Sequence, residues 1–212
     1  MKKKLTVIHT TMATVSTIPA MIREMYGDAF TLVNVMDDSL LNEIKEEGTL
    51  TRSVIQRFLQ YALIAQNNHS DAILLVCSSI GPCADIAREV LSIPILKIDE
   101  PMAQEAVEKG RRILVLGTVK STLEPTAQLI KRKASPQQQV DARCIEGVFE
   151  LHAKDINAHD RSIAQVVLQE QERYDVIVLA QASMAGALRF VGSGKEQVLT
   201  SLPKGLQQLK EL

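Results

Sequence analysis

Tryptophan is absent from this chain, and aromatic residues make up only 3% of it. A surface that stacks nucleobases or sugar rings needs such side chains, so those ligands lose their usual platform. No basic excess compensates. The 24 Lys and Arg stand against 25 Asp and Glu, which gives neither nucleic acid nor anionic lipid a field to follow. Cysteine is scarce as well: Cys77, Cys83 and Cys144 are an odd number with no Cys-x-x-Cys pair. That excludes a disulfide framework and a cysteine-rich zinc site, and it fits a reducing compartment. No apolar run approaches the ~18 residues of a membrane span. Met1-Lys2-Lys3-Lys4 and the stretch ending at Ala20 have the outline of a secretion signal. Its would-be apolar core, however, carries His9, Thr10, Thr11, Thr14, Ser16 and Thr17. The expectation is a cytoplasmic protein with no metal, no nucleic-acid partner and no membrane partner.

What the chain does have is alternation. Short apolar runs at Leu5–Ile8, Thr31–Val35, Ile73–Val76, Ile93–Ile98, Ile113–Leu116, Val140–Cys144 and Val176–Leu179 read as strands. Between them lie helix-period segments. The firmest is Leu50–Gln66, with Val54, Ile55, Phe58, Leu59, Ala62 and Leu63 on one face. Others are read near Pro19, through Leu91, over Met102–Glu108, from about Glu124 to Lys133, and from Asn157 to Glu172. Strands this apolar are buried on both faces, and strand–helix alternation predicts an α/β protein with parallel sheets.

The alternation occurs twice. Asp71-Ala72-Ile73-Leu74-Leu75-Val76-Cys77 overlays Asp175-Val176-Ile177-Val178-Leu179-Ala180-Gln181, and Leu5–Thr10 overlays Ile113–Thr118. The predicted fold is two pseudo-symmetric, doubly wound, flavodoxin-like lobes with a cleft between them. Residues 1–98 with 199–212 form the first lobe and residues 99–198 the second. Open α/β sheets bind ligands beyond the carboxyl ends of their strands. The first lobe then offers Thr10, Thr11, Cys77, Ser78 and Ser79, and the second offers Thr118, Lys120, Ser121, Gln181, Ala182 and Ser183. Backbone N–H groups at such strand-to-helix turns, with several hydroxyls, suit a small anion such as a carboxylate.

Cys77 is the main candidate for chemistry. A thiol at a helix N-terminus can be drawn toward its thiolate, which abstracts protons or attacks electrophilic carbon. Cys83 is expected to pack inward and Cys144 to be structural. His9 is a candidate proton donor, with a hydrogen-bonded structural role as the alternative. His152 and His159 have no metal-ligand spacing. Gly192-Ser193-Gly194-Lys195 lacks the glycine spacing and following hydroxyl of a phosphate-binding loop.

Taken together, His9-Thr10-Thr11, Cys77-Ser78-Ser79, Leu116-Gly117-Thr118-Val119-Lys120-Ser121 and the Ile177–Met184 strand and loop resemble the aspartate/glutamate racemase superfamily. That group includes hydantoin racemases, arylmalonate decarboxylases and maleate isomerases, and the resemblance runs through nearly the whole chain. It implies a cofactor-free isomerase acting on a small carboxylate or amino-acid-like substrate, with Cys77 as acid, base or nucleophile. It also implies a C-terminus that returns to the first lobe, as a helix over Leu202–Leu212. Association with further copies is compatible with this profile. Members of the group carry one cysteine per half, so that two thiols exchange protons on opposite faces of a carbon. Cys77 matches the first. The second position holds Gln181, which has no acid–base capacity near neutral pH. The resemblance then leaves open a one-sided decarboxylase, covalent addition to an activated double bond, a one-thiol isomerase that pairs Cys77 with another acid such as His9 or Lys120, or carboxylate binding without turnover.

Overall fold

In the computed structural model, which describes residues 2–212, eight strands and ten α-helices alternate along the chain. The order is β1 (Lys3–His9), α1 (Met12–Tyr26), β2 (Phe30–Met36), α2 (Ser39–Glu47), α3 (Arg52–Asn67), β3 (Ala72–Leu75), α4 (Gly81–Arg88), β4 (Ile95–Lys97) and α5 (Glu100–Lys109). It continues through β5 (Arg112–Gly117), α6 (Lys120–Lys133), β6 (Gln139–Cys144), α7 (Leu151–Lys154), α8 (Ile156–Glu170), β7 (Val176–Leu179), α9 (Leu188–Val191), β8 (Val198–Thr200) and α10 (Ser201–Gln207). The chain divides into two compact units.

The first unit runs up to Ile98 and is completed by Leu206–Leu212. Its sheet is wholly parallel, in the order β2-β1-β3-β4. Every residue of β3 is buried, which is why its sequence is an uninterrupted apolar run. Ile8, Ile73 and Leu75 pack against Phe58, Val54 and Ala62 of α3 and Ala84 and Ala87 of α4. A fully buried side chain of this size contributes about 1.5–3 kcal/mol. The C-terminal segment docks in the same unit: the Tyr26 hydroxyl donates to the Leu206 carbonyl at 2.9 Å, and Gln208 Nε2 donates to the Lys97 carbonyl at 3.1 Å.

The second unit, Asp99–Gly205, has the order β6-β5-β7-β8, again all parallel. Alternate residues of its central strands feed two cores. Ile113, Val115, Val176 and Val178 meet α5 and α6, while Leu114, Leu116, Ile177 and Leu179 meet α8 and the loop after β7.

The repeat seen in sequence is a repeat in register. Leu5 pairs with Ala72 and Ile113 with Val176. Asp71 accepts the Lys4 N–H at 2.6 Å, and Asp175 accepts that of Arg112 at 2.8 Å. One boundary differs from the expectation: the chain leaves the second unit at residue 206, not 199, because Val198–Thr200 pairs with β7 as that sheet's edge strand. Helix α1 also begins earlier than its sequence pattern, with Pro19 inside it, and α6 starts at Lys120.

Candidate active site

Parallel pairing of β1 with β3 brings the loop after His9 beside the loop after Leu75. Cys77 has extended backbone (φ −141°, ψ 113°) and leads into a 3₁₀ turn, Ser78–Ile80, and then α4. That path turns the Ser79 and Ile80 N–H groups back toward the sulfur. The Thr10 hydroxyl, the Ser79 hydroxyl and both N–H groups are the donors that favour negative charge on it. Thr10 and Ser79 are buried and Cys77 is half-buried. Burial pushes the thiol above its ordinary value, the four donors pull it down, and burial wins. Cys77 therefore rests as a thiol near neutral pH, among groups that favour the thiolate once formed.

Thr11 and Ser78 flank this position. Thr11 is the residue before α1; its hydroxyl makes no capping bond, and its carbonyl accepts the Thr14 hydroxyl at 2.9 Å. His9 lies deeper. Its ring is fully buried, with Nδ1 2.9 Å from the Thr14 hydroxyl and Nε2 3.1 Å from the Asn34 amide oxygen. Burial lowers its pKa and the Asn34 bond only partly restores it, so the ring is neutral at pH 7. Its one N–H goes to the Asn34 oxygen, and Nδ1 is an acceptor that shares the Thr14 hydroxyl with the Thr11 carbonyl.

The second unit repeats the layout with different chemistry. Gln181 has the same extended backbone (φ −121°, ψ 137°) and leads into a 3₁₀ segment, Ala182–Ala187. Its Oε1 accepts the Thr118 N–H at 2.6 Å and the Thr118 hydroxyl at 2.9 Å. Thr118 is buried; Gln181, Ala182 and Ser183 are partly exposed. Lys120 is exposed at the first residue of α6, where its charge favours the thiolate of Cys144. Cys144 ends β6 opposite Gly117, and burial and Glu146 together raise its thiol against that pull. Cys144 packs against the apolar core beneath α5 and α6, in keeping with a structural role. Cys83 lies fully buried in the apolar core, and burial pushes its thiol up to about 12.

Sequence reasoning missed Asp160. Its carboxylate is 1% exposed, 2.9 Å from His159 Nδ1 and 2.6 Å from Arg189 Nη2. It packs so closely under the loop after Gln181 that a Cβ on Gly186 would come within 2.1 Å of Oδ2. The signal was available, since Asp160 interrupts the apolar stripe of α8. Lys97, buried at the end of β4 and paired with Asp85 at 2.6 Å, also went unremarked. Among the described residues, no three or more His, Cys, Asp or Glu are grouped to hold a metal ion, and no helix is long and apolar enough to cross a membrane.

Residues 5–195 match the family described as Asp/Glu/hydantoin racemase. None of the curated protein sequences compared with the chain matches it. Among solved structures, the fold is similar to glutamate racemase from Francisella tularensis in complex with D-glutamate, at TM-score 0.75 and 14% identity, covering 99% of this chain and 80% of that one. It is similar to allantoin racemase from Klebsiella pneumoniae at TM-score 0.71 and 16% identity, covering 100% and 87%. An unliganded arylmalonate decarboxylase aligns at TM-score 0.63 and 15% identity, covering 100% and 93%.

Proposed function

Because the chain belongs to the Asp/Glu/hydantoin racemase family, we propose that it is a cofactor-free, cytoplasmic enzyme of isomerase type acting on a small carboxylate or amino-acid-like substrate, with Cys77 as its reacting group. The observation that carries this reading is the setting of that sulfur. Four hydrogen-bond donors from Thr10, Ser79 and Ile80 converge on it at the carboxyl edge of a parallel sheet. Such donors stabilise negative charge as it develops on sulfur, whether the thiol gives up its proton or a C–S bond is breaking.

A single thiol limits the chemistry. Two-sided racemisation needs an acid on each face of the carbon, and Gln181 supplies none. One thiol suffices for isomerising an activated double bond: thiolate adds to carbon, the bond rotates while single, and thiolate leaves. Taking an α-proton and returning it to the same face of the same carbon restores the starting enantiomer, so a one-thiol proton-transfer isomerase must deliver the proton to a different carbon. A lyase is the second reading, and the raised thiol pKa favours it, because a resting thiol is ready to protonate the carbanion left by loss of CO2.

Thr10, Thr11, Ser78 and Ser79 in the first unit, and Thr118, Lys120, Ala182 and Ser183 in the second, are assigned to anion binding. His9, with both ring nitrogens engaged, is assigned to holding the first loop rather than to proton transfer. The test is a substrate panel followed by NMR in D2O. It comprises D- and L-aspartate, D- and L-glutamate, hydantoins, maleate and phenylmalonate. Wild type should convert at least one member, and Cys77→Ser should slow that conversion by roughly 10²- to 10⁴-fold. Undiminished turnover in Cys77→Ser would sink the thiol mechanism.

A further inference from the structure

Amide oxygen and nitrogen are hard to tell apart by shape, but their bonding partners settle which is which. The Thr118 backbone N–H can only donate, so the Gln181 atom 2.6 Å from it is the carbonyl oxygen. The Thr118 hydroxyl ends on the same atom. With Oε1 held twice, the carboxamide cannot turn over without setting its NH2 group against the Thr118 backbone N–H, which can only donate. Its orientation is locked. Nε2 then points away from Thr118 with two N–H donors, and it has no hydrogen-bond partner among the described residues, on a side chain that is partly exposed. A partly exposed amide with its acceptor spent and its donors unspent is built to donate.

We infer that Gln181 is a ligand-binding residue, whose Nε2–H groups donate to an acceptor oxygen of the substrate, a carboxylate oxygen in the first instance. The inference rests on the small-carboxylate reading above. It assigns this position, which lacks the family's second thiol, a role in recognition without acid–base chemistry. Thr118 is the corresponding positioning residue: it touches Gln181 and sets which face of the amide is offered.

The experiment uses the full chain labelled with 15N, the Gln181 side-chain NH2 signals being identified by their loss in Gln181→Met. D- and L-aspartate, D- and L-glutamate, maleate and malonate are titrated in turn, with melting temperature followed in parallel. A ligand that raises the melting temperature should move the Gln181 NH2 signals over the same concentration range. Gln181→Glu keeps an oxygen for Thr118 while replacing the donors with negative charge, so it should bind that ligand roughly 10- to 100-fold more weakly. Gln181→Met, which has no donor, should lose affinity in the same direction. If a ligand stabilises the protein while the NH2 signals stay fixed and Gln181→Glu binds as wild type, the role of Gln181 is overturned and the carboxylate reading stands. If no panel member stabilises the wild type, the carboxylate reading falls and the inference with it.

Discussion

The Thr118 hydroxyl ends on Gln181 Oε1, and the Thr10 hydroxyl, at the matching position of the other sheet, ends on the Cys77 sulfur. One threonine per unit therefore conditions the residue at the tip of the central strand. In the first unit its effect is to favour thiolate. Removing it in Thr10→Val should raise the Cys77 thiol further and slow its alkylation by iodoacetamide at about pH 8 by roughly tenfold. Peptide mapping by mass spectrometry separates Cys77 from Cys83 and Cys144. Thr118→Val should leave the Cys77 profile where it was.

Acid should find His9. Its pKa is below the ordinary 6.5 because its ring is buried. Below about pH 6.5 the unfolded chain takes a proton that the folded chain refuses, so stability is present above that pH and lost as pH falls toward the lowered value. Urea midpoints measured from about pH 7.5 down to about pH 5 should decline in wild type and decline less in His9→Gln.

Alkali should find Cys83. Its thiol stands near 12 against an ordinary 9.0. Between these values the unfolded chain ionises while the folded chain does not. The contribution is complete below pH 9 and lost as pH rises toward 12. Melting temperatures above pH 9 should fall more steeply for wild type than for Cys83→Ala, although the variant starts lower because it loses a buried sulfur.

The twin aspartates should be unequal. Asp175 accepts the N–H of Arg111 and Arg112 and the Arg112 guanidinium, whereas Asp71 accepts the Lys4 N–H. Asp175→Ala should cost about 2–3 kcal/mol and Asp71→Ala about 1 kcal/mol by urea denaturation. Equal costs would mean that the extra bonds of Asp175 contribute nothing.

Much of this was legible before any coordinates. Strands buried on both faces announce themselves as unbroken apolar runs, so Ala72–Leu75 and Val176–Leu179 stand out in sequence. The Asp that opens each run is legible too, because it ties the same neighbouring strand in both units. Short or weakly buried elements were not. Helix α2 buries only Leu40 and Ile44, too few points for a period, and β8 is three residues long. At the candidate site, sequence put Thr10 with Cys77 and Thr118 with Gln181 through the repeat. It could not tell that His9 turns inward, since that depends on Asn34 from β2 and Thr14 from α1. Nor could it tell which way the Gln181 amide faces.

The discontinuity of the first unit bears on the order in which the protein is made. Asp99–Gly205 is one uninterrupted stretch and has every strand of its sheet by the time residue 200 leaves the ribosome. The other unit, though synthesised first, waits for Leu206–Leu212. Leu206 and Leu209 are fully buried there, and Tyr26 and Lys97 find partners in that last segment. The half that carries Cys77 begins first and closes last, and during synthesis the nascent chain holds that thiol in the less finished of its two parts.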